Sequence, residues 1–366
     1  MATTSDKHAL PSTQRAWIME RRGAPDKALQ LREDWPVPKP MAGEVLVRVE
    51  AAALNPVGYK FMGLLPNFIA RRPLPAEYDF AGTIADANGS KYKEGDSVFG
   101  FVEVLQSIKT RQGALCQYVR VATTHIAPRP AHVPPTGAAG ISLAGETAYQ
   151  VLLRSGGLAW RADGSLEPDQ SIFVNGGSSS VGAFAIQIAK AKGAAHVVAS
   201  GSEKNAEMIR GLGADEFIDY RKKPVHEQLA EHPPSRKFQI IVDAVGQTDP
   251  ALYTHSKAYL APGGVYVTTG YHPRGMNMQE ITLTVKHAAA TIWPRLLGGT
   301  PRKHMVMALK NREEDLMDMG EMLAASTLKP VVDSVFAFED VLKAYEKIMS
   351  NRAKGKVVVR VDPGAE

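Results

Sequence analysis

The feature that most constrains this chain is a short apolar run at 171–175 (SIFVN) that passes straight into a turn of small residues. The turn reads Asn175-Gly176-Gly177-Ser178-Ser179-Ser180-Val181-Gly182 and opens an alanine-rich segment at 181–192 carrying Ile186 and Ile188. A strand, a tight turn and a helix in this order make the first half of a crossover. Further strand-like runs follow at 196–200, 216–220, 238–244 and 264–269, with a helical segment at 203–212. Alternation at this spacing predicts a parallel sheet covered by helices on both faces.

The turn itself suggests a ligand. Small residues let a pyrophosphate approach backbone N–H groups at a helix N-terminus, where the helix dipole favours an anion. Gly177, Ser178, Ser179, Ser180 and Val181 are the candidate contacts, and Gly182 lets the helix pack close to the sheet. The hydroxyls of Ser179 and Ser180 either donate to phosphate oxygens or are simply tolerated in the turn. A dinucleotide with a free ribose usually meets an Asp or Glu about 20 residues past such a turn. Here the second strand ends Ala199-Ser200-Gly201-Ser202, with Lys204 close behind. A serine and a lysine suit a 2′-phosphate, so NADPH is the expected cofactor. The alternative makes Ser200 the start of a turn and Lys204 a solvated helix residue.

The first third has a different pattern. Residues 44–51 alternate with a period of two, and short β-like runs recur at 78–85, 96–102 and 118–122 between proline-rich loops. This predicts a β-dominated unit ending near Pro135. A helix is expected at 140–153, an amphipathic helix at 341–349 and a closing strand at 356–361.

Composition removes several classes of function. The 366 residues are enough for about two domains, and 44% are hydrophobic. Basic residues outnumber acidic ones by 43 to 38 but are dispersed, so no nucleic-acid interface is expected. No run of eighteen apolar residues suggests a membrane span, and residues 1–14 lack the apolar stretch of a secretory signal. One cysteine, Cys116, rules out an internal disulfide framework and any site of two or more thiolates. A cytoplasmic location is the expectation.

Several ordered motifs resemble the medium-chain dehydrogenase/reductase superfamily, on its zinc-independent quinone oxidoreductase and enoyl reductase branch. They are Glu44-Val45-Leu46-Val47-Arg48-Val49, Asn55-Pro56-Val57-Gly58-Tyr59-Lys60, Asp79-Phe80-Ala81-Gly82 and Gly95-Asp96-Ser97-Val98-Phe99-Gly100. Gly145-Glu146-Thr147-Ala148-Tyr149, Gly211-Leu212-Gly213-Ala214-Asp215, Asp243-Ala244-Val245-Gly246 and Lys354-Gly355-Lys356-Val357-Val358 continue the series. The serine-bearing turn is most similar to fungal members, including enoyl reductases that serve polyketide synthases.

The resemblance implies an α/β fold, with a Rossmann doubly wound parallel sheet inserted in a GroES-like β-rich catalytic domain. The expected boundaries are 1–148 for the first part of the catalytic domain, 149–296 for the NADPH-binding domain and 297–366 for the completion. The cofactor would lie in the cleft between the two. Carried over, Ser200, Lys204 and Tyr220 would surround the 2′-phosphate, with Lys356 reaching in. Asn55 and Thr147 would sit near the nicotinamide, whose far side Val245, Thr269 and Gly270 would line. Relatives pair through the sheet edge or are monomers, so a homodimer is one of the states left open.

The zinc alcohol dehydrogenases of this superfamily use an early cysteine and a four-cysteine lobe. Here Asn55-Pro56 stands at the thiolate position, no Gly-His-Glu follows, and one cysteine cannot supply the lobe. His125, His132 and His272 read as surface or loop residues, so no metal is expected. Without a metal to ionise an alcohol, reduction of a polarised C=C–C=O system is the favoured chemistry. Hydride would go to the β-carbon of an enone, quinone or enoyl thioester, so a small-molecule or acyl-thioester substrate is the expected partner. Asn55 or backbone N–H groups would stabilise the enolate oxygen, and Tyr59 and Lys60 are candidates to protonate the α-carbon. The alternatives are an apolar wall for Tyr59 and surface pairing for Lys60. The branch usually has Asp after Asn-Pro-x, and here Gly58 takes that place. That departure keeps alive a second reading, a non-catalytic or weakly active NADPH-binding protein. Residues 62–72 (MGLLPNFIARR) either border a hydrophobic substrate mouth or form a packed loop with a solvated arginine pair.

Overall fold

The structure, a computed structural model, describes residues 10–270 and 278–365. The chain divides into two compact units, Met1–Leu143 with Asn311–Gly320 and Val332–Glu366, and Ala144–Lys310 with Glu321–Val331.

The first unit is built on a seven-stranded sheet. Its order is Val332–Ala337, Lys356–Arg360, Glu44–Ala53, Asp79–Asp86, Ser97–Phe101 and Ile126–Pro128, with Tyr118–Ala122 also pairing to Glu44–Ala53. The period-two alternation at 44–51 holds only in part: Val45, Val47 and Val49 enter the core and Arg48 stays outside, but Leu46 and Glu50 of the opposite set are buried as well. A three-stranded sheet of Leu29–Pro36, Thr13–Met19 and Leu74–Pro75 closes one side, and neither long strand of it stood out by periodicity. Trp17 fastens it by donating its indole N–H to the Phe338 carbonyl at 2.7 Å.

Register in the larger sheet decides where chemistry can collect. Asp79 opposes Ala53, and Val358 opposes Ala53 from the other side. Both pairings are antiparallel, so Asp79 and Lys356 flank the point where the central strand ends at Ala53 and the chain passes through Asn55 into the next helix. That convergence comes from residues far apart in the chain.

The second unit carries six parallel strands in the order Glu216–Asp219, His196–Gly201, Ser171–Asn175, Phe238–Asp243, Leu260–Thr268 and Lys303–Val306. Numbered within the unit this is 3-2-1-4-5-6, the doubly wound order of dinucleotide-binding sheets. The direction of winding reverses between Ser171–Asn175 and Phe238–Asp243, so the crevice that binds ligands in such sheets opens at Asn175 and Asp243. Ile172, Phe173 and Val174 are all fully buried, as a strand covered on both faces requires. The sixth strand, Lys303–Val306, lies beyond the expected boundary at 296. It belongs to this unit because it is hydrogen-bonded to Leu260–Thr268, and the unit's second boundary falls at Lys310. The short segment Glu321–Val331 returns to the same unit, a second crossing that no composition change marks.

No helix among the described residues is long and apolar enough to cross a membrane.

Candidate functional site

At the switch point, the small-residue turn is held by a chain of hydrogen bonds rather than by packing alone. The Gly176 N–H donates to Ser200 Oγ at 3.0 Å, and Ser200 donates to Asn175 Oδ1 at 2.7 Å. Asn175 Nδ2 then donates to Asp243 Oδ1 at 3.0 Å. Asp243 is fully buried and also accepts from the N–H groups of Val245, Gly246 and Gln247 and from the Thr268 hydroxyl. One carboxylate thereby fixes the loop after its own strand and, through Asn175 and Ser200, the ends of two neighbouring strands.

Ser200 therefore holds a different position from the one expected. It is 1% exposed and its hydroxyl is committed on both sides, so it braces the turn instead of facing a 2′-phosphate. Lys204 and Tyr220 do reach the surface beyond the same strand ends. Asn175 and Asp243, the two residues that organise this end, were legible only as members of motifs.

The turn has the shape an anion requires. Ser179 caps the helix Ser180–Ala191, its Oγ accepting from the Gly182 N–H at 3.1 Å. The Val181 N–H, in the first turn of that helix, has no intrahelical acceptor. Ser178 Oγ accepts from Asn205 Nδ2 at 2.9 Å, and Ser180 opens the helix. A Cβ on Gly177 would meet Ala199 Cβ and Ile186 Cδ1 at 3.1 Å, so the backbone lies close against the sheet. Gly176 has φ +87°, and a Cβ there would stand 2.4 Å from Val245 Cγ2. Val245 is partly exposed, and Thr269 lies beside Asp243, its N–H donating to the Asp243 carbonyl at 3.2 Å. Gly270 has φ +107° at the end of the described segment. A cavity of about 370 Å³ runs from Tyr220 past Val225 and His226 to Val245 and Gln247. Its size suits a nucleobase and sugar. Thr147 is buried on the helix Ser142–Arg154.

The first unit holds a separate polar cluster where its sheet register converges. Lys356 Nζ lies 2.6 Å from Asn55 Oδ1 and 2.9 Å from Asp79 Oδ2, and Asn55 Nδ2 lies 3.1 Å from the same carboxylate oxygen. The three side chains close a ring, all of them buried. Asp79 Oδ1 accepts in addition from the Leu143 N–H. Gly140 makes room, because a Cβ there would press on Lys356 Cγ at 2.9 Å. Two expectations change here. Lys356 is paired with Asp79 and Asn55 instead of standing open to a 2′-phosphate. Both amide hydrogens of Asn55 are also engaged, by Asp79 and by the Ala53 carbonyl at 3.3 Å, so that amide is not free to donate to a substrate oxygen. The Lys356 ammonium retains one hydrogen outside the ring.

Asn55 is fixed from a second direction by a residue the sequence did not single out. Glu77 is 1% exposed; its Oε2 accepts from the Asn55 N–H at 3.0 Å and its Oε1 from the Tyr345 hydroxyl at 2.7 Å. Burial pushes its carboxyl from an ordinary 4.5 up to about 7, against the opposing pull of Tyr345, Lys356 and the Asn55 N–H. Tyr59 and Lys60, on the helix Pro56–Leu64, are half-buried and have no hydrogen-bond partner among the described residues. Burial raises the Tyr59 hydroxyl, with Glu77 adding to it, and lowers the Lys60 ammonium.

The remaining candidates resolve simply. Arg72 is no solvated residue: its guanidinium donates to the carbonyls of Phe61, Met62 and Leu65 and so ties the end of the helix Pro56–Leu64 to the short helix Asn67–Ala70 that follows it. Leu64, Phe68 and Ile69 on these two helices stay exposed. Cys116 is buried with Sγ 3.1 Å from the carbonyls of Gly113 and Tyr118, and burial pushes its thiol up to about 12. His132 is exposed, whereas His125 is half-buried against Phe101, 5.9 Å between ring centroids. His272 lies outside the described residues. Among the described residues no three His, Cys, Asp or Glu side chains form a metal-holding group.

Comparison with known proteins agrees with this architecture. Residues 41–131 match the alcohol dehydrogenase GroES-like domain, and residues 212–359 match the family described as zinc-binding dehydrogenase. The medium chain reductase pydE of Acremonium sp is 32% identical, covering 96% of this chain and 100% of its own. The trans-enoyl reductase pgmF of Aspergillus terreus is 34% identical over 96% of this chain and 98% of its own. Among solved structures, the crotonyl-CoA carboxylase/reductase AntE in complex with NADP superposes with a TM-score of 0.77 at 20% identity, covering 97% of this chain and 96% of that one. Motifs, doubly wound sheet and full-length relatives agree that this chain belongs to the medium-chain dehydrogenase/reductase superfamily, on the branch of the quinone oxidoreductases and enoyl reductases.

Proposed function

We propose that this oxidoreductase reduces the activated C=C bond of an enone, quinone or enoyl thioester, with NADPH supplying the hydride and no metal taking part. The observation that carries the reading is the buried ring of Asn55, Asp79 and Lys356. A fixed ammonium in a dry site stabilises an enolate oxygen as it develops, which assists conjugate reduction. It does nothing to ionise an alcohol, the step a bound zinc would serve. Asn55 stands where the zinc-dependent relatives place a thiolate, and Cys116 is held as a buried thiol that offers no ligand. The names of pgmF and AntE, a trans-enoyl reductase and a crotonyl-CoA carboxylase/reductase, favour the same reaction class.

Each residue has a task in this reading. The N–H groups at the start of Ser180–Ala191 hold the pyrophosphate, while Gly176 and Gly177 let it approach. Lys204 meets the 2′-phosphate, Tyr220 borders the adenosine, and Val245 lines the far side of the nicotinamide. Thr147, Thr269 and Gly270 lie toward the nicotinamide. Lys356 receives the substrate oxygen, oriented by Asn55 and Asp79. Tyr59 or Lys60 returns a proton to the α-carbon, directly or through water.

The test is direct. The purified protein is mixed with NADPH and a panel of 2-enals, quinones and enoyl thioesters, and cofactor absorbance is followed. Turnover with at least one acceptor is expected. Tight NADPH binding with no turnover across the panel would instead make the protein a binding factor. Stoichiometric zinc by elemental analysis would overturn the metal-free mechanism.

A further inference from the structure

Gly58 breaks the Asn-Pro-x-Asp pattern of the branch, and the structure shows what occupies the space. A Cβ built on Gly58 would lie 2.2 Å from Glu77 Oε1, 2.8 Å from its Cδ and 3.0 Å from Oε2. A side chain at 58 and the Glu77 carboxylate thus exclude each other from one volume. Glu77 reaches it from an unusual backbone, φ 61°, in the left-handed region where non-glycine residues are uncommon. Such a conformation persists only where surrounding contacts over-determine it. Those contacts are on the carboxylate, with the Asn55 N–H on one oxygen and the Tyr345 hydroxyl on the other.

We propose that Glu77 supplies, from the segment before Asp79–Asp86, the carboxylate that the Asn-Pro-Val-Gly loop lacks, and that it acts as a positioning residue for Asn55. Glu77 holds the Asn55 backbone while Asp79 and Lys356 hold its side chain, so the residue is clamped from both ends. The missing aspartate is therefore a relocated carboxylate and no sign of lost activity. This rests on the reductase reading for its catalytic part, whereas the exchange of carboxylates is a matter of structure alone.

A double-mutant cycle tests it. Gly58→Asp alone forces two carboxyl groups into one volume and should lower both the melting temperature and kcat, the latter roughly tenfold or more. Glu77→Gly alone leaves the Asn55 N–H and the Tyr345 hydroxyl unpaired and should cost a similar factor. The double variant, carrying its carboxylate at 58, should recover most of both losses. Losses that multiply, with no rescue, would overturn the proposal. The melting temperatures decide the exchange even if no acceptor turns over, which separates its failure from that of the reductase reading.

Glu77→Gln keeps the shape and removes the charge, and it serves if Gly58→Asp does not fold. The groups facing Glu77 are Tyr345, Lys356, Asp79, Tyr78 and Tyr59. In the native enzyme kcat should fall as Glu77 is protonated below about pH 7, because the ionised carboxylate is the better acceptor for both donors. In the glutamine variant that limb should vanish while KM for NADPH stays unchanged. A limb that survives the substitution would assign it to another group and sink the positioning role.

Discussion

Glu77 also links proton uptake to folding, and the sign is fixed by its burial. Its carboxyl titrates near 4.5 in the unfolded chain and at about 7 in the folded one. The folded state therefore binds more protons between these values, so the stabilising contribution is complete below pH 4.5 and is lost as pH rises through 7. The difference corresponds to about 3 kcal/mol. Denaturant unfolding at pH 5, 6, 7 and 8 should show stability declining over this window, and Glu77→Gln should flatten the decline. A native protein whose stability rises across the window would place the raised pKa elsewhere. Lys356 presents a different case, a buried ammonium set 2.9 Å from the Asp79 carboxylate. Lys356→Met leaves the fully buried Asp79 carboxylate without its counter-charge, a loss of about 3–5 kcal/mol. Adding Asp79→Asn should return part of that stability, because the uncompensated charge goes while the acceptor for the Leu143 N–H remains. Neither residue's environment was legible in the sequence. Lys356 sat in a recognisable motif, but only sheet register shows that it faces Asn55 and Asp79.

At the scale of elements, the phosphate turn was legible because its determinants are local. A run of small residues between an apolar strand and an alanine-rich helix is a pattern within one stretch of chain, and the helix starts at Ser180 as that pattern implies. Ser200 was less legible for the complementary reason. Its hydroxyl was free to face a phosphate or its neighbour strand, and the choice is made by Asn175, twenty-five positions away. The glycines of this region should separate cleanly on mutation. Gly182→Ala would push a Cβ to 2.2 Å from the Gly176 carbonyl, backbone against backbone, and should cost about 1–3 kcal/mol with a loss of NADPH affinity. Gly211→Ala, at the end of the helix Ala206–Gly211, meets nothing within 4 Å and should stabilise by about 0.4–1 kcal/mol through the unfolded chain. Thermal melts of the two variants check both signs at once, and a destabilised Gly211→Ala would show that open space alone does not decide the outcome.

At the scale of the whole molecule, the alternation of strands and helices pointed to the parallel sheet and the family resemblance implied its insertion in a β-rich domain, but neither gave the boundaries that strand pairing shows. Interleaving is invisible to composition because Lys303–Val306 and Glu321–Val331 join the parallel-sheet unit through strand pairing and packing with distant segments. Cofactor preference can be read at this same scale, since a ligand that binds only the folded chain stabilises all that folds with it. At a hundred times its dissociation constant a ligand adds about 2.7 kcal/mol. For a unit of this size that is a rise of roughly 5–10 °C in melting temperature. NADPH should give this shift, and NADH at the same concentration much less, because only the former carries a 2′-phosphate for Lys204. Replacing that exposed side chain in Lys204→Ala should leave the protein's own melting temperature unchanged, since exposed side chains contribute little to folding. The NADPH shift should then fall toward that of NADH while the NADH shift stays put. Equal losses for the two cofactors would remove Lys204 from the 2′-phosphate site, and an equal shift in the native protein would remove the preference itself.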